Sequence, residues 1–115
     1  MKQITGQDLS SMANAASMAA GAPMPLLLDV REPWEFALAA IRIEGLETRL
    51  MPMNSVPELC AELDPAQPVV CICHHGARSA QVVAFLERQG FEAVYNLAGG
   101  IDAWSTQVDA AVARY

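Results

Sequence analysis

Two short segments, PLLLDV (residues 25–30) and PVVCIC (residues 68–73), carry apolar side chains at successive positions instead of alternate ones. A strand with one wet face alternates, so a continuous apolar run has to be covered on both faces. Helical patterns surround these two runs. Thr5 precedes a run with Leu9, Met12, Ala16 and Ala19 near one face, which ends at Gly21-Ala22-Pro23. Glu32-Pro33 opens a short helix, because proline is tolerated in a first turn. Residues 49–53 read as a weak strand whose Pro52 suits a sheet edge. Asn54 or Ser55 can cap a helix through Val56, Leu59, Cys60 and Leu63. A helix from Ala77 to Gln89 ends at Gly90, EAVYNL is a further strand, and Ile101 to Val108 form a last helix after Gly99-Gly100. Strands alternating with helices predict an α/β fold with a parallel sheet covered on both faces. The ends of PLLLDV and PVVCIC then fall on one sheet edge, where open α/β folds carry their sites.

Composition narrows the function. The 115 residues fit one domain, and 53% hydrophobic against 17% charged residues argues for an ordered core. With a net charge of -6 and no cluster of Lys or Arg, neither nucleic acid nor an anionic membrane surface is an expected partner. Three cysteines, two of them at positions 71 and 73, suit free thiols in a reducing compartment. The charge-poor stretch from Leu9 to Leu28 is interrupted by serines, Asn14 and two prolines, and matches neither a membrane span nor an export signal. A cytoplasmic location is expected.

The nine residues CICHHGARS, 71 to 79, hold two of the 3 cysteines and both histidines. Cys73 ends the apolar run, and His74, His75, Gly76, Ala77 and Arg78 form the turn into the next helix. Such a turn points backbone N–H groups inward and adds the partial positive charge of a helix N-terminus. Thiolate, the reactive form of cysteine, is stabilised there. Gly76 frees the loop backbone, and Arg78 stands where a fixed cation can draw an anion toward sulfur. These features agree on a nucleophilic Cys73.

Three other readings compete. A cysteine ending a buried strand is ordinarily a small hydrophobe. Cys71, assigned to the strand face opposite Cys73, and Cys60, on an apolar helical face, are expected to be core. Cys71, Cys73, His74 and His75 are metal-ligating types, but they are nearly contiguous, whereas zinc sites bring separated pairs together; no metal is expected. Cysteine phosphatases use a loop one residue longer between thiolate and arginine than the four residues separating Cys73 from Arg78.

In order and spacing, LLLDVREPWEF, VVCICHHGARS and YNLAGGIDAW resemble the three signature segments of a single-domain rhodanese. The resemblance spans Ile4 to Trp104. It implies a rhodanese-like α/β fold, a central parallel sheet of about five strands flanked by helices on both faces. It also implies that Cys73 heads a six-residue loop, Cys73 to Arg78, and carries sulfane sulfur as a persulfide. The thiolate would attack the outer sulfur of a donor such as thiosulfate and release sulfite. A thiophilic acceptor, cyanide or a thiol, would then remove the sulfur. No cofactor is implied. The phosphatases related to this fold have the longer loop, so the length favours sulfur over phosphate.

The two-domain thiosulfate enzymes of the family carry basic residues where this chain has His74 and His75. Histidine is charged only in part near neutral pH, which leaves Arg78 as the one permanent cation of the loop. Thiosulfate is therefore expected to be a weak donor, with another persulfide as the physiological one. Asp29 and Arg31 fall on the family's Asp-x-Arg at a strand end and are expected to support the loop. Trp34 and Phe36 are expected to pack the short helix, and Trp104 to anchor the last one. Ala39-Ala40-Ile41 replaces the usual Gly-His-Ile, so the hydrogen bonds of that pocket wall must differ. Three functions follow: a sulfurtransferase using Cys73, a relay carrier loaded by a protein partner, and a catalytically silent binding module.

Overall fold

The structure, a computed structural model, describes residues 2–18 and 23–115. The chain runs β1 (Lys2–Ile4), α1 (Gly6–Met18), β2 (Leu26–Asp29), α2 (Pro33–Leu38), β3 (Thr48–Leu50), α3 (Val56–Leu59), β4 (Val69–Ile72), α4 (Ala77–Arg88), β5 (Val94–Leu97) and α5 (Gly100–Gln107). Thr5 and Asp8 start α1 by exchanging side-chain and backbone bonds, Thr5 N–H to Asp8 Oδ2 at 2.9 Å and Asp8 N–H to Thr5 Oγ1 at 3.1 Å. The helix end expected at Gly21-Ala22 lies outside the described residues.

All the strand pairings are parallel, in the order β1-β5-β4-β2-β3. The sheet grows from β2 to β3 in one direction, and the chain then returns to lay β4 on the other side of β2. Such a reversal opens a crevice beyond the C-terminal ends of the two central strands. Asp29 and Cys73 stand at those ends.

Every residue of β2 and β4 is buried, as a doubly covered sheet requires. Leu26, Leu28, Val69, Cys71 and Val94 pack with Val56 of α3 and with Val82, Val83 and Leu86 of α4. On the other face Leu27, Val70, Ile72 and Leu97 meet Leu9 of α1 and Ile101 and Trp104 of α5. Truncating one such leucine to alanine costs about 2–5 kcal/mol.

Several local expectations change. Side chains two apart on a strand share a face, and Cys71 and Cys73 lie in the same hydrophobic cluster. The opposite-face assignment of Cys71 is therefore wrong, although its burial in the core stands. The helix foreseen through Leu63 is one turn of α3 between 3-10 turns at Met53–Ser55 and Cys60–Glu62. Val56 and Leu63 are buried, while Leu59 is exposed and Cys60 half-buried. Trp34, expected to pack, is 62% exposed and meets the Tyr115 ring edge-on.

The turn from β5 into α5 locks the Cys73 loop. Ile101 N–H donates to Cys73 O at 2.9 Å and Asp102 N–H to His74 O at 3.1 Å. This approach needs Gly100: its φ is +62°, and a Cβ there would sit 2.3 Å from Cys73 O and 2.4 Å from His74 O. Gly100→Ala is expected to destabilise the protein by more than about 2 kcal/mol, read as a fall in Tm. An unchanged Tm would mean that the loop and α5 do not meet this closely.

Candidate functional site

Cys73 follows directly on β4 and is 1% exposed. Gly76 N–H donates to its sulfur at 3.0 Å. The loop curls back this far because Gly76 has φ +108°, which other residues rarely adopt. Ala77 is exposed and begins α4.

Behind the sulfur lies a polar cluster that the motif reading missed. Ser79 Oγ is 3.3 Å from Cys73 Sγ, 3.3 Å from Gly76 O, and in close contact with Asn96 Oδ1. A hydroxyl has one proton to give, so Ser79 serves one of these acceptors at a time. With Asn96 as its acceptor, its oxygen is free to accept from the cysteine S–H. Charged sulfur instead draws the hydroxyl proton to itself. Asn96 Nδ2 donates to Gly76 O at 3.1 Å and fixes the peptide that carries the N–H aimed at sulfur. A buried asparagine within a strand was the one available signal of this cluster.

Cys71 is fully buried. Burial, with a smaller contribution from nearby Cys73, pushes its thiol far above the usual range. It stays a protonated core residue, while Cys73 has the N–H and the hydroxyl.

Asp29 and Arg31 are both completely buried and form one ion pair at 2.6 Å. The Arg31 guanidinium gives Nε–H and one Nη2–H to Asp29, the other Nη2–H to Ala39 O at 2.6 Å, and its Nη1 group to Glu35 O and Tyr115 Oη. All five donors are used. Arg31 thereby supplies the pocket-wall hydrogen bond at Ala39, where the usual Gly-His is absent. Thr48 Oγ1–H secures Ile41 O at 2.9 Å.

Arg78 is not the free cation that the sequence suggested. Its Nη1 and Nη2 donate to Glu35 Oε1 at 2.6 Å and Oε2 at 2.8 Å, a bidentate pair with Arg78 one third exposed and Glu35 4% exposed. Glu35 also accepts from Glu32 N–H at 3.1 Å and Tyr115 Oη–H at 2.7 Å. Neither Glu35 nor Tyr115 was foreseen, since their partners lie 43 and 80 residues away in sequence. The Arg78 guanidinium is the main cause that lowers the Glu35 carboxyl from 4.5 to about 2.

His74 is half-buried, with its Nε2 sealed from solvent and lacking a hydrogen-bond partner among the described residues. His75 is 65% exposed. The ligand-type atoms of His74, His75 and Asp102 lie within 4.8 Å of one another. The two rings are stacked at 3.9 Å and 27°, and Arg114 donates to the Asp102 carboxylate.

A parallel sheet with a cysteine-headed loop at its switch point defines an α/β domain organised around one sulfur atom. The rhodanese-like domain family matches residues 7–107, and the chain belongs to that family. Among relatives, it is 37% identical over 93 residues to a rhodanese-like/PpiC domain-containing protein of Arabidopsis thaliana, chloroplastic. The match takes in 77% of this chain but 30% of that protein. It is 32% identical over 103 residues to the thiosulfate sulfurtransferase GlpE of Stutzerimonas stutzeri, across 90% of this chain and 84% of the relative. Among solved structures, a rhodanese-related protein from Thermoplasma volcanium superposes with a TM-score of 0.77 at 28% identity, over 94% of each chain.

The Glu35 carboxyl makes stability pH-dependent. Its folded value lies below its unfolded one, so its contribution is complete above pH 4.5 and is lost as pH falls from 4.5 toward about 2. A shift of this size corresponds to about 3 kcal/mol. Glu35→Gln is expected to be less stable than wild type at pH 6, with the gap closing as pH falls toward 2. Urea titrations at several pH values measure it, and a gap independent of pH would contradict the assignment.

Proposed function

We propose that this chain is a sulfurtransferase that moves a sulfane sulfur from a small donor to a thiophilic acceptor through a persulfide on Cys73. The carrying observation is the seating of Cys73 Sγ at the head of the six-residue loop, with Gly76 N–H 3.0 Å from it. In the first step the Cys73 thiolate attacks the outer sulfur of the donor. The new S–S bond forms as the donor's own bond to that sulfur breaks, and the leaving group, sulfite for thiosulfate, takes the electron pair. In the second step cyanide or a thiolate attacks the outer persulfide sulfur, and the electron pair returns to Cys73. Charge passes across sulfur in both steps, where an inward N–H and the Ser79 hydroxyl stabilise it without rearranging solvent. The relative of 32% identity whose name states thiosulfate sulfurtransferase activity supports this reading.

The donor is expected to be a persulfide in preference to thiosulfate. Arg78 is neutralised by Glu35, so the six-residue loop presents no unpaired permanent cation to a dianion. The acceptor is a small thiophile or a thiol, a protein thiol in the relay variant of the same chemistry; nucleic acid and membranes are not partners in this reading. The three cysteines are unpaired, which supports action in a reducing, cytoplasmic compartment. Among the described residues no helix is long and apolar enough to cross a membrane.

Intact mass after incubation with a donor tests the proposal. Wild type is expected to gain one sulfur atom and Cys73→Ser none. A gain with a protein persulfide donor but none with thiosulfate would identify a relay carrier. No gain with any donor, or phosphatase activity dependent on Cys73, would overturn the reading. Glu35→Gln leaves the Arg78 charge uncompensated and is expected to lower the KM for thiosulfate. An unchanged KM would remove Arg78 pairing as the cause of weak thiosulfate use.

A further inference from the structure

Four rings stand in a row beside the Cys73 loop. His75 stacks on His74 with centroids 3.9 Å apart, and His74 stacks on Tyr115 at 4.2 Å and 10°. Trp34 meets Tyr115 edge-on at 6.2 Å. Tyr115 lies along the six-residue loop. It covers His74, the second residue, and it reaches Arg78, the sixth, through the carboxylate they share on Glu35.

This phenol is held on every side. Its hydroxyl accepts from Arg31 at 2.9 Å and donates to Glu35 at 2.7 Å, and the Arg31 guanidinium carbon lies 5.7 Å from the ring centroid. Val112 packs against the core face beside α5, and Ser105 Oγ–H donates to Val112 O at 2.5 Å, so the segment leading to Tyr115 is anchored too. Swinging the ring aside would strip a buried guanidinium and a buried carboxylate of a partner each, which opposes the motion.

We propose that Tyr115 is a specificity-determining residue for sulfur transfer at Cys73: a fixed wall along the loop that passes slender acceptors such as cyanide and holds back bulky organic thiols. The inference rests on the persulfide reading above. With cyanide the outer sulfur leaves as thiocyanate, and with a thiolate it leaves as a new persulfide. Either way the electron pair of the broken S–S bond stays on Cys73. The two reactions differ in the width of the attacking group, and that is what a wall discriminates.

The test loads Cys73 with one sulfur and compares single-turnover transfer to cyanide and to glutathione. Tyr115→Ala is expected to raise the glutathione-to-cyanide rate ratio by about tenfold, and Tyr115→Phe, which keeps the ring on His74 but loses the bonds to Arg31 and Glu35, to raise it by a smaller factor. A merely structural role would slow both acceptors together without moving the ratio. An unchanged ratio in Tyr115→Ala, or an equal rise in Tyr115→Phe, overturns the proposal. If Tyr115→Ala does not fold, Trp34→Ala, at the exposed outer end of the row, is expected to raise the same ratio, and no change there counts against the wall. A second measurement needs no sulfur chemistry: alkylation of Cys73 by iodoacetamide and by a bulky aryl maleimide, read on the Cys73 peptide. Tyr115→Ala is expected to accelerate the maleimide selectively, so the wall can be judged even if no sulfur ever loads.

Discussion

One guanidinium, sealed from water at the end of β2, holds the functional edge of this molecule together. Arg31 has no solvent to satisfy it, so every one of its donors must find protein. It finds Asp29 on its own strand end, the carbonyls of Glu35 within α2 and of Ala39 just past its end, and the phenol of Tyr115. A buried charge pair adds little net stability over an apolar replacement, but losing one member leaves an uncompensated charge. The pair therefore specifies a geometry: α2 must lie where its backbone meets Arg31, and that placement brings Glu35 to Arg78.

From there the loop follows. Arg78 is tied to Glu35, Gly76 to Asn96, and the carbonyls of Cys73 and His74 to the first turn of α5. The loop is gripped at both ends and from behind, with the sulfur at its head. Neutralising Arg78 removes long-range attraction for anions but keeps the arginine fixed. The N–H and the hydroxyl at this sulfur owe their fixed positions to this rigidity, because misplaced donors stabilise nothing.

The fold was legible because unalternating apolar runs have a single physical solution, burial on both faces. The position of Cys73 at the head of a strand-to-helix loop was legible because strand end, glycine and helix start are local features. Where structure and sequence differ, the reason is also local. The period of two places Cys71 on the face of Cys73, and the apolar spacing through Leu63 does not extend α3, because Leu59 turns to solvent. The aromatic type of Trp34 suggests packing, but 62% of it is exposed.

The sequence by itself determined the layered α/β architecture and the sulfur-bearing loop, since both follow from hydrophobic period and from short-range backbone demands. Only the tertiary structure decided what surrounds the sulfur. Ser79 and Asn96 meet across 17 residues, Arg78 and Glu35 across 43, and Glu35 and Tyr115 across 80. No local pattern encodes such partners, because a hydrogen bond between distant residues exists only after the sheet order has put their strand ends side by side.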